Sequence, residues 1–430
     1  MNAPPDKWTF SALDEILLDL AALIELSPQD RRIAENRYRL LKAHIERPSS
    51  PLRPYMVDGE SKIFAQGSVA TSTTIVTGDG EDRFDLDAIV EADIPPSWSD
   101  REALDKLEEA LQGFPGVKKI VRCTRCVQLQ FATMHMDVTL MDRRGRIAGA
   151  RPGDIFHSPD KGTSYRVPSN PWGFTGWFRS VVKPGSREFT ERLTEIRKSA
   201  GRSRIPFLDE GERTTLAKAD QVPLPPAIPS HLDAIEAVAL KLLKRFLNLR
   251  YATSTLKRPP SIWLAKRTGD LGDFGGGLTV QLFMLAKTLA DEMRERVARA
   301  QRPDERNPSY HPDKINDRWP REAWGEAKQD MDVFASHLDV LMQSLNRMAW
   351  QSQDEIMEEM DKLFGERFGK EARKVLADRY DRRSSGTPLY IKPATGAVLA
   401  QAVAKSEPQT QPIRSHHFHP LRMPSKGKKP

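Results

Sequence analysis

Two periods of hydrophobic recurrence divide the chain. Near the start, Leu13, Ile16, Leu17, Leu20 and Ile24 recur at helical spacing and predict an amphipathic helix from Ser11 to Leu26. Ser27-Pro28-Gln29-Asp30 opens a second helix, with Ser27 as N-cap and Pro28 at the first helical position, that runs to about Arg47. The period then drops to two. Phe84, Leu86 and Ala88 alternate with Asp85 and Asp87, and Val127, Leu129 and Phe131 alternate with Gln128 and Gln130. Met134, Met136, Val138 and Leu140 alternate with His135, Asp137 and Thr139, so Asp137 belongs on the polar face of a strand paired with the first. Between these strands, Ser99-Asp100-Arg101-Glu102 is a capping box for a helix ending near Gly113.

Beyond residue 230 only the helical period remains. Leu232, Ile235, Val238, Leu242, Phe246 and Leu249 mark one helix face, and further helices are expected from Leu278 to Val297, Ala327 to Met348 and Glu355 to Tyr380. The change of period coincides with Pro206, Pro223, Pro225, Pro226 and Pro229, a linker composition. The expected organisation is a mixed α+β core over residues 1–205, a Pro-rich linker over 206–230, an all-helical domain over 231–381 and a flexible basic tail over 382–430. After Glu407 the tail holds no acid but keeps Arg414, Arg422, Lys426, Lys428 and Lys429.

The polar positions of the strands carry the chemistry. Asp85 and Asp87, two residues apart, leave one face of a strand, and Asp137 stands on another. Gly67-Ser68 precedes them: the glycine permits close backbone approach, turn N–H groups cradle phosphate, and the Ser68 hydroxyl reaches a β- or γ-phosphate. A Gly-Ser turn, an Asp-x-Asp strand and a third strand aspartate make a two-metal nucleotidyltransferase site, in which hard oxygen ligands on a rigid support hold two Mg²⁺ or Mn²⁺ ions. Gly78-Asp79-Gly80-Glu81-Asp82 reads as a plain polar loop.

Other signals are weaker. Lys241 and Lys244 admit two readings, solvated lysines or, for Lys244, a cation over the triphosphate. Cys123-Thr124-Arg125-Cys126 is a lone C-x-x-C whose cysteines would need a turn to share a metal and two more ligands, for which only His416, His417 and His419 offer themselves. Trp172, Phe174, Trp177 and Phe178 suit core packing better than base stacking, and Tyr165 suits the surface. With 430 residues, two cysteines, no long apolar run and an N-terminus unlike a signal peptide, the chain is expected in the cytoplasm, away from membranes. Its net charge of +7 suits anionic ligands without choosing between nucleotides and nucleic acid.

Taken together, these motifs resemble the cyclic GMP-AMP synthase/DncV-like nucleotidyltransferases (CD-NTases) of bacterial anti-phage (CBASS) systems. Gln66-Gly67-Ser68, Phe84-Asp85-Leu86-Asp87 and His135-Met136-Asp137-Val138 look like that family's signatures. So do Ser169-Asn170-Pro171-Trp172-Gly173, Lys241-Leu242-Leu243-Lys244, Pro260-Ser261-Ile262-Trp263 and Asn307-Pro308 with Asn316-Asp317-Arg318-Trp319. Val69-Ala70-Thr71-Ser72 and Thr139-Leu140-Met141 depart from the usual pattern without removing a ligand.

The resemblance implies a polymerase-β-like core, a helical second domain and an NTP cleft between them. It implies that Asp85, Asp87 and Asp137 hold the metals, that Asp137 activates a 3′-hydroxyl, and that Gln66, Gly67, Ser68, Lys244 and Ser261 bind nucleotide. It also implies a cyclic di- or trinucleotide made from NTPs, ATP foremost, that activates an effector. The details look most like the branch with HORMA/Trip13-like regulatory proteins, and nucleic acid enters only as an activator. The rival reading is a nucleotidyltransferase acting on an RNA or protein acceptor.

Overall fold

The computed structural model describes residues 12–56, 62–77, 84–132, 134–143, 151–199, 233–348 and, except 368 and 371, 351–373, together with three two-residue strands beyond. The described residues up to 372 form one compact unit. In the second unit, Tyr390–Ile391, Val398–Leu399 and Gln411–Pro412 pair as a small antiparallel sheet. The expected 206–230 linker, the 78–82 loop and the rest of the tail lie outside the described residues.

Seven strands make the main sheet: β1 (Lys62–Gln66), β2 (Phe84–Ala92), β3 (Lys119–Arg122), β4 (Val127–Gln130), β5 (Met134–Arg143), β6 (Gly153–His157) and β7 (Tyr165–Ser169). The order is β1-β2-β5-β4-β3, with β6 pairing the far end of β5 and β7 pairing β6. β2 and β5 are parallel, while the other pairs of this sheet are antiparallel. A parallel pair at the centre is covered on both faces, which is why Ala88, Ile89, Val90, Val138, Leu140 and Met141 are all buried. The chain returns from β2 through α4 (Asp100–Leu111), whose Ser99 cap accepts from the Glu102 amide at 3.1 Å and whose Leu104, Leu107 and Leu111 are buried.

The helices form the other layer. α1 (Ala12–Leu23) and α2 (Pro28–Ile45) come first, α2 closed by the reciprocal Ser27–Asp30 capping box. α3 (Gly67–Ala70) is a single turn. α5 (Pro171–Val181), α6 (Arg187–Ser199) and α8 (Ser261–Leu271) stand where the hydrophobic period had given no helix. α7 (Ile235–Tyr251), α9 (Leu278–Ala298) and α10 (Trp324–Met348) follow the expected periods, whereas α11 (Gln353–Phe364) stops at Gly365, whose φ is +100°, short of the expected Glu355–Tyr380 span, of which residues 374–380 lie outside the described residues. A short hairpin, β8 (Arg306–Asn307) and β9 (Tyr310–Lys314), precedes α10. The segment from β9 to α10 presents Trp319 to Trp263 and Phe334, with ring centres 5.0 and 5.6 Å away.

Two helices differ from their expected character. α1 was expected to be amphipathic, yet Leu13, Leu17, Leu18, Ala21, Ala22 and Leu23 are all buried, because α6, α7 and α9 enclose it. Its Asp14 accepts from the Thr279 amide at 2.7 Å and so caps the first turn of α9. α7 is likewise buried almost all round, Lys241 and Lys244 included, so neither lysine is a solvated surface group.

Lys241 is held in a buried ionic network. Glu25, just after α1, accepts from Lys241 Nζ at 2.6 Å and from both Nη2 and Nε of Arg197, at 2.6 and 2.8 Å. Arg197 Nη1 also donates to Asp233 at 2.6 Å. Burial alone would raise the Glu25 carboxyl, but Arg197 and Lys241 hold it well below the carboxylate range. The network's contribution is therefore complete at neutral pH and is lost only as pH falls through that depressed value. Removing Glu25 would take from Lys241 and Arg197 the buried carboxylate they share, leaving Arg197 with Asp233. Glu25→Ala is expected to cost about 3–5 kcal/mol, read as a lower urea midpoint at unchanged m-value; a loss under about 1 kcal/mol would mean that water replaces the carboxylate freely.

Candidate active site

Four strands bring one row of polar side chains together. Gln66 on β1 pairs with Asp87 on β2, Asp87 with Asp137 on β5, and Asp137 with Gln128 on β4. Neighbouring strands lie about 4.8 Å apart and paired residues project to a common face, so two carboxylates stand side by side between two amides. Asp85, two residues before Asp87, extends the row towards His135, whose Nδ1 lies 4.0 Å from Asp85 Oδ1. Gln128 Nε2 donates to Asp137 Oδ1 at 2.9 Å and is itself oriented by Gln130 Nε2, 2.8 Å from Gln128 Oε1. Tyr38 Oη donates to the Asp87 carbonyl at 2.8 Å, tying α2 to the same strand.

The Gly67-Ser68 turn lies against this row. Gly67 has φ +61°, and a Cβ there would stand 2.3 Å from Asp87 Oδ2. The position therefore requires glycine twice over, for its left-handed backbone and for its closeness to the carboxylate. Gly67 begins α3, whose first-turn amides have no intrahelical acceptor. The turn is held from behind by Thr73 N donating to Ser68 O at 2.8 Å and Arg179 Nη2 donating to Ala70 O at 2.8 Å. Thr74 Oγ1 donates to Ser68 Oγ at 3.2 Å.

These groups line a cleft of about 540 Å³ that also takes in Lys244 from α7 and Ser261 from the start of α8. All eight residues singled out in the sequence reach it: Gln66, Gly67, Ser68, Asp85, Asp87, Asp137, Lys244 and Ser261. Lys244 Nζ donates to the Thr73 carbonyl at 2.8 Å, so the lysine and the Ser68 turn brace each other. Lys241, one turn away, belongs to the Glu25 network instead.

Phe174 lines the cleft, Phe178 is buried, and Trp172 packs edge-on against Phe64 at 5.4 Å. Tyr165 is exposed and stacks on His157. Cys123 and Cys126 flank a turn closed by Cys123 N donating to Cys126 O at 2.8 Å, but among the described residues no three His, Cys, Asp or Glu side chains close around a metal position. His416, His417 and His419 lie outside those residues.

The electrostatics follow from the crowding. Burial, then Asp137 and Asp85, push the Asp87 carboxyl up to about 7. Burial also raises Asp137, against the Gln128 hydrogen bond. Opposite them, burial and Arg258 bring Lys244 down to about 7, although Asp87 and Asp85 pull it upward. Such a set of carboxylate oxygens, unable to ionise together unaided, suits hard divalent cations.

Sequence reasoning had passed over Gln128, whose register opposite Asp137 marks it only once β4 and β5 are paired. It also passed over the Thr71, Thr73 and Thr74 shelf and Arg258, which carry no local signature.

No protein-family model matches the chain. It is similar to the cyclic dinucleotide synthase CdnG of Bradyrhizobium diazoefficiens, 30% identical over 417 residues that span 93% of each chain. The structure of the Bradyrhizobium diazoefficiens CD-NTase CdnG in complex with GTP superposes with a TM-score of 0.70 at 29% identity, covering 85% of this chain and 98% of that one. The CdnC:HORMA-deltaN complex of E. coli MS115-1 matches with a TM-score of 0.50 at 13% identity over 80% of this chain and 94% of that one, a likeness of fold.

Two outcomes follow from the geometry. Gly67→Ala should displace Asp87 and the turn together, lowering activity by at least about 100-fold while far-UV circular dichroism stays unchanged; retained activity would mean that the turn is free to shift. In metal-free protein, Asp87 lowers stability as pH rises from its unfolded value to about 7, since the folded state holds the extra proton. Lys244 raises stability above about 7, where the unfolded state holds the extra proton. The melting-temperature difference between wild type and Asp87→Asn should therefore widen, in favour of the variant, between pH 5 and pH 7 and shrink on adding Mg²⁺ or Mn²⁺. A flat difference would reject the charge crowding.

Proposed function

This chain belongs to the CD-NTases and is a nucleotidyltransferase, and we propose that it joins nucleoside triphosphates into a cyclic oligonucleotide. The reading is carried by the Gln66–Asp87–Asp137–Gln128 row, which meets the Ser68 turn and Lys244 in one cleft. Asp85, Asp87 and Asp137 would hold divalent cations, which supply charge neutralisation for the triphosphate and polarisation of the attacking hydroxyl.

In this reading, Ser68 and the α3 amides receive the donor triphosphate. Lys244 and Ser261 approach it from the helical side. Lys244 gains its proton's full charge as the polyphosphate arrives, because an adjacent anion raises an ammonium pKa. Asp137, oriented by Gln128, accepts the proton of the incoming 3′-hydroxyl. That oxygen attacks the α-phosphorus, the bond to the β-phosphate oxygen breaks and pyrophosphate leaves. A second attack of the same kind closes the ring. Holding two nucleotides in line supplies much of the rate.

The relative's name favours a dinucleotide product, and its complex with GTP favours a guanine nucleotide among the substrates, beside the ATP that the motifs imply. A role in anti-phage defence through an effector, and HORMA/Trip13-like regulatory partners, rest on the motif resemblance. The division into a 1–205 core and a 231–381 helical domain remains part of this reading.

Purified protein incubated with all four NTPs and Mg²⁺ or Mn²⁺, treated with phosphatase and analysed by mass spectrometry, should yield a phosphatase-resistant cyclic oligonucleotide. Asp85→Asn should reduce it by more than about 100-fold. Product that forms only when RNA or a protein acceptor is added would favour the rival macromolecular acceptor.

A further inference from the structure

Arg258 is the one arginine lining the cleft among the described residues. It precedes Pro259-Pro260, and a residue before proline is held extended, so its backbone is set just ahead of α8. The side chain lines the wall shared by Lys244, Asn248 and Ser261. Its Nη1 is sealed from solvent and has no hydrogen-bond partner among the described residues. The neighbouring Tyr251 hydroxyl is in the same condition.

Several other arginines also hold one sealed nitrogen without a hydrogen-bond partner, but Arg258 alone of these lines the cleft among the described residues, and the arginines of the buried networks are matched by protein groups. Arg197 is matched by Glu25 and Asp233, Arg245 by the Phe364 and Thr77 carbonyls, and Arg179 by the Ala70 carbonyl. Buried polar groups are normally satisfied, so a cleft-lining guanidinium whose Nη1 lacks a hydrogen-bond partner points to a ligand group. Burial weakens the hold of Arg258 on its proton, and Asp85 restores part of it.

What would satisfy it is an anion that offers two adjacent oxygens, because the guanidinium fork matches phosphate or carboxylate. A nucleobase brings no such charge. On the proposed reading, the α-phosphate is engaged at the aspartates, Ser68 serves the polyphosphate behind it, and Lys244 stands over the chain. The geometry points to Arg258 as the residue that grips the terminal phosphate of the donor nucleotide, so that the cleft selects triphosphates over diphosphates. The inference rests on the nucleotidyltransferase reading of this cleft and adds a specificity residue to it.

The test is calorimetric titration of 3′-deoxyguanosine and 3′-deoxyadenosine tri-, di- and monophosphates, which lack the attacking hydroxyl, with Mg²⁺ present. Wild type, Arg258→Met and Arg258→Lys are compared. Arg258→Met should weaken triphosphate binding about 10- to 100-fold while di- and monophosphates change by less than about threefold, with Arg258→Lys between. The melting temperature of nucleotide-free Arg258→Met should equal or exceed wild type, since a sealed nitrogen without a hydrogen-bond partner is removed. Equal losses across the phosphate series, no loss at all, or a lower nucleotide-free melting temperature would overturn the assignment. Wild type that binds none of the six nucleotides would overturn the nucleotide reading itself, and the assignment with it.

Discussion

Carboxylate repulsion across a fixed backbone register is the constraint on which the site depends. Asp87 and Asp137 are paired residues on adjacent parallel strands, and side-chain rotation cannot separate them far. Apart from Asp85, the groups around them are neutral, small or cationic. Gln66 and Gln128 flank the row, Gly67 leaves room where any Cβ would collide with Asp87, and Lys244 faces it from α7. The site holds its charge in tension because the sheet that carries it is well packed, with Leu86, Ala88, Met136 and Val138 filling the opposite face.

A second charge cluster does the opposite work. Glu25, Arg197, Lys241 and Asp233 compensate one another inside the protein and join the end of α1 to α6 and α7. Lys241 and Lys244, one turn apart on α7, thus have different roles set only by what lies opposite. One completes a closed network, while the other meets a carbonyl and an open cleft. Anchoring the first fixes the helix that presents the second.

Much of this was legible in the sequence, and the limits of legibility are physical. Alternation exposed β2, β4 and β5, and the Asp-x-Asp spacing gave the shared face, because a strand's period of two is a local property. Register between strands is not local, so the pairing of Gln128 with Asp137 was invisible although both residues were in view. α5 and α8 escaped because each opens after a proline-bearing segment and mixes glycine and tryptophan into a short span. The burial of α1 and of both lysines depends on partners far along the chain, Thr279 for Asp14 and Glu25 for Lys241. Arg258 carried no signature, since an arginine before two prolines resembles any loop arginine.

The placement of α1 has a consequence for recombining this protein with its relatives. In sequence the helix stands at the far end from α7 and α9, yet its Asp14 caps α9 and the Glu25 that follows it neutralises Lys241. A hybrid spliced at the proline-rich segment, taking the first half from one parent and the second from another, would separate each of these groups from the partner it was matched to. The natural seam for exchange is therefore not the linear midpoint. It runs through the segment after Glu25, so that residues 12–25 travel with the helices that enclose them.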